Sequence, residues 1–465
     1  MTLPLSYAQQ RLWFLHRLQG PSPTYNLPLL LRLTGPLDRD ALLGAIADVV
    51  ERHEVLRTVY RRSAQGPVQL VLPAGQALPR IFAALGQDTE EEQDGQQVGG
   101  QVEAFLRDAA GYGFDLAKEP PLRVHLRRTG PAEHVLLLLM HHIAADGWSL
   151  GPLGRDLAQC YRARRTGRAP AAPQEPGLQY ADYALWQQEL LGEERDPASV
   201  AGQQLAYWRD RLDGAPRQLA LPYDRARTHG ADGAGDTVPL TIGADTHRAL
   251  HRLAAGAGAS LSMVLHALVA ALLTARGAGT DIPLGTVVSG RCDEGLDDLV
   301  GFFVNTLVIR VDTGGDPDFG QLLARVRESS LAAYDHQDVP FDRVVRALNP
   351  PRSPGLHPLF QTMVSLQSQD ASGFDLDGLR VRAEELRPDI AQFDLSVVFR
   401  ESLAPDGTGQ GLGGFVEYST ALFDRATVRD LAAGLAALAD AVCADPALAL
   451  SRPAAVPAAA VSPSR

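Results

Sequence analysis

The stretch "MHHIAADGWSL", residues 140–150, sets His141 and His142 side by side, with Asp146 four residues after the second histidine and Gly147, Trp148 and Ser149 behind it. A neutral imidazole titrates near the working pH and is the usual proton acceptor, whereas an aspartate paired with a cation stays charged and serves geometry. That division of labour makes His142 the reactive group. Side chains on a strand alternate between faces, so the two histidines share one cleft only if the strand has already ended. One histidine is therefore expected to do chemistry, and it is the one at the strand exit. Gly147 allows either a tight bend or a close approach of backbone to ligand. A histidine pair satisfied inside the core stays open on this stretch alone.

Other chemistries find little support. A metal centre needs a third strong ligand at a suitable spacing and finds only Asp146, with no HExxH helix and no cysteine cluster, so no metal is expected. A nucleophilic hydrolase is not the reading adopted, and Cys292 beside Arg291 is the one thiol with a candidate activating neighbour. No G-x-x-x-x-G-K-[ST] cradle for nucleotide phosphates occurs.

The elements that must position the histidines read as an α/β pattern. "LSYAQQRLWFL" opens like a capping box, Ser6 three residues before Gln9, with Leu5, Ala8, Leu12 and Leu15 on one helical stripe. "PTYNLPLLLRLTGPL" follows as a strand, and Asp38 then caps a helix with Leu42, Leu43, Ile46, Val49 and Val50 inward. "RHEVLRTVY" leads out of that helix into a strand paired with "PVQLVL". Residues 86–100 are acidic and Gln-rich and read as a solvated loop or frayed helix. "PLRVHLRR" and "EHVLLLLMHHI" are two strands, the second with the continuous apolar run of a strand covered on both faces. The Pro/Gly/Ala-rich stretch 164–177 is the best internal boundary, dividing a first part, 1–170, from a second, 171–450. The second part again mixes strands with long helices, from "DTHRALHRL" to "TVRDLAAGLAALADAV". The tail 451–465 reads as a Pro/Ala linker to further domains.

Composition narrows the function classes. Across 465 residues the net charge is −12, with Lys and Arg scattered among Asp and Glu, so neither nucleic acid nor an anionic membrane is an expected ligand. Three widely separated cysteines suit a reducing compartment, and the opening residues carry no charged-then-apolar leader, so a cytoplasmic location is expected. The apolar run near residues 261–273 reads as a buried helix.

Motifs along nearly the whole chain resemble, in order, those of nonribosomal peptide synthetase condensation domains. "SYAQQRLWFL" looks like the first, "RHEVLRT" the second, and "MHHIAADGWS" the third, with its HHxxxDG signature. "YADYALW", "GFFVNTLVIR", "HQDVPFD" and "RSPGLHPLFQ" look like the four that follow. The resemblance implies a V-shaped pseudodimer of two chloramphenicol-acetyltransferase-like lobes with the signature on the floor of a tunnel between them. It implies an enzyme that joins an upstream carrier-bound aminoacyl or peptidyl thioester to the amine of a downstream carrier-bound aminoacyl thioester. No cofactor is then bound by the chain itself, because phosphopantetheine arms arrive on donor and acceptor carrier proteins. A neighbouring adenylation domain is a further partner, and the excised domain is expected to be monomeric.

By the same resemblance His142 acts on the acceptor amine, His141 supports the fold, Asp146 pairs with Arg291 of "SGRCDEG", and Gly147 borders the reacting centre. An α-amino group has a pKa of roughly 8, so a strong base is unnecessary, and His142 either positions the amine or moves its proton after attack. Ser149, Trp148, Asn305 and Arg57 are secondary candidates. Arg57, with Arg52 and His53, occupies a helix-to-strand corner suited to internal hydrogen bonds. Asn305 is suited equally to a tunnel contact or a strand-end hydrogen bond. Trp13 and Trp186 read as core, and His336 as a cap or packing residue. The "AQQRLWFL" form with "SPTYNLP" looks like the subtype accepting an upstream L-residue. Alternatives are a non-catalytic docking module, a lipid-initiating or dehydrating variant, and a free-standing CoA-dependent acyltransferase on the same fold.

Overall fold

A computed structural model describes residues 3–64, 66–85, 98–168, 177–227, 233–351, 353, 355–368, 373–386, 390–404 and 406–449. The Pro/Ala-rich stretch 169–176 and the tail 451–465 lie outside the described residues. So does most of the 86–100 stretch, whose residues 98–100 open a helix.

In chain order the elements begin β1 (Leu3–Pro4), α1 (Tyr7–Gln19), β2 (Asn26–Thr34), α2 (Arg39–Arg52), β3 (Thr58–Ser63), β4 (Gly66–Val71), α3 (Ala74–Ile81), α4 (Val98–Ala110), β5 (Leu122–Gly130), β6 (Glu133–His141), α5 (Leu150–Arg165) and α6 (Tyr180–Leu191). They continue α7 (Val200–Leu212), β7 (Gly235–Pro239), α8 (Ala244–Gly256), α9 (Leu261–Ala275), β8 (Asp281–Val288), β9 (Asn305–Asp312), α10 (Phe319–Tyr334), α11 (Phe341–Leu348), β10 (Thr362–Ser368), β11 (Arg380–Glu385), β12 (Leu395–Leu403), β13 (Gly409–Ser419) and α12 (Arg425–Ala444).

These elements form two compact units. The first holds Met1–Gly192 and takes back two later segments, Ser289–Val304 and Asp370–Pro388; the second holds Glu193–Val288, Asn305–Gln369 and Asp389–Arg465. The division therefore differs from a single cut near residue 170. Its cause is α6, whose Tyr180 and Tyr183 are buried against Phe303 of the first returning segment.

In the first unit an antiparallel four-stranded sheet has the order β11-β2-β6-β5, beside a three-stranded sheet β1-β4-β3. β6 is the strand that delivers the histidines. Its residues Leu138 and Met140, with Leu122 of β5, line a small apolar void closed by Ile46, Val49 and Val50 of α2 and Leu153 and Leu157 of α5. On the opposite face His125 of β5, paired with Leu137, meets Phe105 of α4, and His141 meets Phe114. Helices thus cover both faces, which is why a strand with period-2 geometry carries an unbroken apolar run. The expected caps are present: Ser6 and Gln9 form the capping box of α1, and Asp38 accepts from the Ala41 amide at the start of α2.

The second unit is built on a six-stranded mixed sheet, β7-β13-β12-β10-β8-β9, in which β10 runs parallel to both neighbours. α9 is capped by Ser260 and buried from Leu261 to Leu273 apart from Ser262, as a core helix is. Among the described residues no single helix is long and apolar enough to cross a membrane; α8 and α9 pass such a test only jointly and are bent by 105°.

Candidate active site

β6 ends at His141, and the chain turns through residues 142–149 before α5 begins. His141, the last strand residue, follows the alternation of β6 onto the face with Phe114 and Tyr25, where its ring is buried. Its Nδ1 accepts the Ile143 amide at 3.1 Å. Burial, reinforced by the neighbouring His142, pushes its pKa down to about 3, so it is a neutral packing group.

His142 lies in the turn, where its amide donates to the Tyr25 carbonyl at 2.8 Å. Its Nδ1 stands 3.1 Å from the Ala145 carbonyl oxygen. A carbonyl only accepts, so Nδ1 must carry the proton, which leaves the Nε2 lone pair bare in the neutral ring. Burial lowers the His142 pKa, opposed by the Ala145 carbonyl and the Asp146 charge, both of which favour the protonated form. A neutral ring of fixed tautomer, with Nε2 as acceptor, follows.

Asp146 and Arg291 are brought together, and both are buried. The guanidinium is bidentate, Nη1 to Oδ2 at 3.0 Å and Nη2 to Oδ1 at 3.2 Å, and Nη2 also reaches the Leu299 carbonyl at 3.1 Å. Asp146 further accepts the Ser149 amide at 2.9 Å and the Phe303 amide at 3.0 Å. Its place just ahead of α5 also sets the carboxylate at the positive end of a helix dipole. With its lone pairs occupied in this way it is an anchor, and no base.

Ser149 is another anchor: its hydroxyl lies 2.8 Å from Asp146 Oδ1 and 2.9 Å from the Gly301 carbonyl, and it accepts the Gly301 amide at 3.1 Å. A tunnel contact for Ser149 is therefore replaced by a structural one, since the side chain is fully buried. Gly147 is exposed, its φ is not left-handed, and a Cβ there would meet nothing within 4 Å. Gly147 lies in a turn, with the Leu150 amide donating to its carbonyl at 3.3 Å, but that turn does not require glycine, and the Gly147 amide makes no hydrogen bond among the described residues. Trp148 beside it is 45% exposed.

The remaining candidates serve the scaffold. Arg57 donates to the Val50, Leu72 and Glu51 carbonyls at the α2–β3 corner, while Arg52 and His53 both hold Asp156. Asn305 belongs to the second unit, where its amide donates to the Gln337 and Val339 carbonyls and its oxygen accepts the Thr306 and Phe341 amides. That is the strand-end role. His336 stacks on Tyr207 at 3.8 Å, and Trp13 is core. Trp186 is not: α6 turns Tyr180, Tyr183, Ala184 and Gln187 inward and leaves Trp186 41% exposed.

Three site residues lie inside the quoted motifs, but their roles escape sequence reading because their partners are remote in sequence. Gln9 of α1 donates from Nε2 to the Ile143 carbonyl and to the Tyr60 hydroxyl, both at 3.1 Å, clamping the histidine turn from below β6. Tyr180 donates to the Phe302 carbonyl. Phe302 stands with its ring 5.7 Å from that of His142. The sequence signals for Gln9 were its place in the capping box and in "SYAQQRLWFL"; the box explains its Oε1, and neither shows the target of its side-chain Nε2.

One group among the described residues converges like metal ligands: His247, His251 and Glu401 in the second unit. The Gly411 amide donates to His247 Nδ1 at 3.1 Å, so His247 Nε2 carries the proton and points it at Glu401, 3.0 Å away. A metal would need that nitrogen bare and its partner nitrogen donating, so the set fits a hydrogen-bonded clasp of α8 to β12.

The mixed α/β architecture matches the chloramphenicol-acetyltransferase-like class seen in solved condensation domains. Over 97% of this chain it aligns with the X-domain in "Complex of the X-domain and OxyB from Teicoplanin Biosynthesis", covering 95% of that chain at 33% identity and TM-score 0.83. The first condensation domain of the CDA synthetase aligns over 97% of this chain and 98% of its own, at 20% identity and TM-score 0.73. The condensation-domain family model matches residues 1–460, and the chain belongs to the condensation domains of nonribosomal peptide synthetases. It is 51% identical over 444 residues to a probable non-canonical nonribosomal peptide synthetase, CymA, of Salinispora arenicola. It is 48% identical over 445 residues to a dimodular nonribosomal peptide synthase of Bacillus subtilis. In each case 96% of this chain is covered, but it spans only 6% and 18% of those relatives.

Proposed function

We propose that this domain forms a peptide bond between an upstream carrier-bound aminoacyl or peptidyl thioester and the amine of a downstream carrier-bound amino acid. The observation that carries the reading is the fixed tautomer of His142, whose Nδ1–H is committed to Ala145 while Nε2 stays bare. In the reaction the amine nitrogen attacks the thioester carbonyl, the C–N bond forms, and the C–S bond breaks as the tetrahedral centre collapses. The nitrogen gives up one proton and the departing thiolate needs one, so a single acceptor and donor suffices. His142 Nε2 orients the neutral amine by accepting its hydrogen bond and receives the proton after attack. The free, exposed amide of Gly147 is suited to the developing oxyanion.

Substrates arrive on the phosphopantetheine arms of two carrier proteins, with an adenylation domain as neighbour, in the cytoplasm. The upstream residue is assigned the L configuration, on the "AQQRLWFL" and "SPTYNLP" forms. A second reading, a docking module without turnover, is favoured by the 33% identity to an X-domain solved in complex with OxyB. The retained His142, Asp146 and Gly147 favour catalysis.

The test loads one carrier with an L- or D-aminoacyl thioester and a second with a different amino acid, then follows carrier-bound dipeptide by intact mass spectrometry. Dipeptide from the L donor, lost by about 100-fold or more in folded His142→Ala, is expected. No dipeptide from any donor points to the docking module. Equal yield from the variant reduces His142 to scaffolding, and preference for the D donor overturns the subtype.

A further inference from the structure

The direction of one buried hydrogen-bond chain is forced by the chemistry of its members. The Gln9 amide donates to Ser6 Oγ at 3.1 Å, and Ser6 Oγ lies 2.7 Å from the Tyr180 hydroxyl. The Tyr180 hydroxyl also contacts the Phe302 carbonyl, which only accepts, so the single phenolic proton goes there. Ser6 must then give its own proton to Tyr180. The chain runs in one sense, from the cap of α1 through α6 to the backbone at Phe302.

That backbone is held on both sides as well. The Gly301 amide donates to Ser149 Oγ at 3.1 Å, that hydroxyl also stands 2.9 Å from the Gly301 carbonyl, and the Phe303 amide is bound to Asp146. A Cβ at Gly301 would stand 1.9 Å from the Tyr180 ring, so helix and segment are in direct contact. Phe302 is the one residue of the three that sends its side chain towards the histidine, its ring 5.7 Å from His142. The same α1 reaches the other flank of the histidine, where Gln9 Nε2 donates to Ile143.

We propose that Tyr180 is a positioning residue for the transfer step: it fixes the Phe302 carbonyl, and with it the aromatic wall that shields the His142 imidazole. This rests on the reading of His142 given above. Loss of the phenolic proton frees the Phe302 carbonyl, loosens the wall, and admits water to the imidazole. Asp146, itself bound to Arg291, and the neutral His141 are the ionisable groups facing His142, and neither contacts Tyr180's hydroxyl.

Tyr180→Phe removes one oxygen and keeps the ring. Its turnover in the dipeptide assay is expected to fall by about tenfold. Burial holds the His142 pKa below its ordinary value, and NMR titration of its ring is expected to place it higher in the variant than in the wild type. A merely structural role lowers the fraction folded and leaves that titration in place. Phe302→Leu keeps the carbonyl and removes the wall, so it is expected to move the titration in the same direction, and it carries the test if Tyr180→Phe does not fold. An unchanged His142 titration in the folded variants overturns the proposal. Absence of dipeptide from the wild type overturns the function itself, and is distinguished by that control.

Discussion

Asp146 and Arg291 form a buried, bidentate pair in which each charge is compensated by the other away from water. Asp146→Asn would leave the Arg291 guanidinium uncompensated and is expected to cost about 3–5 kcal/mol of folding stability, read from urea unfolding. Arg155–Asp298, by contrast, is an exposed ion pair, 58% and 87% accessible, and Asp298→Asn is expected to cost less than about 1 kcal/mol. Comparable losses from the two substitutions would refute the anchor role. His142 belongs at the same scale, since its useful property is a tautomer set by a single carbonyl. The types and spacing of these residues were legible in the sequence, but the partner of Asp146 was known only through family resemblance. Two residues 145 positions apart leave no local pattern.

At the scale of elements, the segment 289–304 works because its glycines admit close backbone approach. Gly290 has φ +66° and a Cβ there would lie 2.0 Å from the Phe303 carbonyl oxygen. Gly290→Ala is therefore expected to lose about 1–3 kcal/mol or more, measured as a fall in melting temperature. Gly147→Ala has open space and no left-handed φ, so its stability is expected to stay within about 0.5 kcal/mol. A comparable destabilisation at both positions would contradict this account. Helix α6 shows why an element can be recognised while its buried face is misread. Both its faces are apolar, Tyr180, Tyr183, Ala184 and Leu191 on one and Leu185, Trp186 and Leu190 on the other. Hydrophobicity alone then does not choose which turns inward, and Trp186 ended outside. β11, "RVRAEE", escaped notice because its alternating Val381 and Ala383 are interspersed with charges, and it became a strand by pairing with β2.

For the molecule as a whole, buried neutral histidines couple folding to acid. Burial holds His125 down to about 4, with neither ring nitrogen partnered among the described residues, and holds His141 down to about 3, against an ordinary 6.5. The unfolded chain takes up these protons first as pH falls, so stability is full above pH 6.5 and declines towards pH 4. The slope is expected near 1.4 kcal/mol per pH unit for each such histidine. Urea midpoints at a series of pH values would check this, and His125→Leu should flatten the decline; a midpoint indifferent to pH between 6.5 and 4 would refute it.

By itself the sequence determined what depends on neighbours along the chain. The Ser6 capping box, the Asp38 cap and the double-sided burial of β6 follow from local hydrogen bonding and from side-chain period. So does the placement of His142 just past a strand. The tertiary structure alone decided what depends on residues brought together from afar: the pairing of Asp146 with Arg291 and Phe303, the bond of Ser149 to Gly301, the clamp of Gln9 on Ile143, and the chain from Ser6 through Tyr180 to Phe302. The physical reason is that a buried polar group must find a partner wherever the fold brings one, and no periodicity along the chain encodes which one that will be.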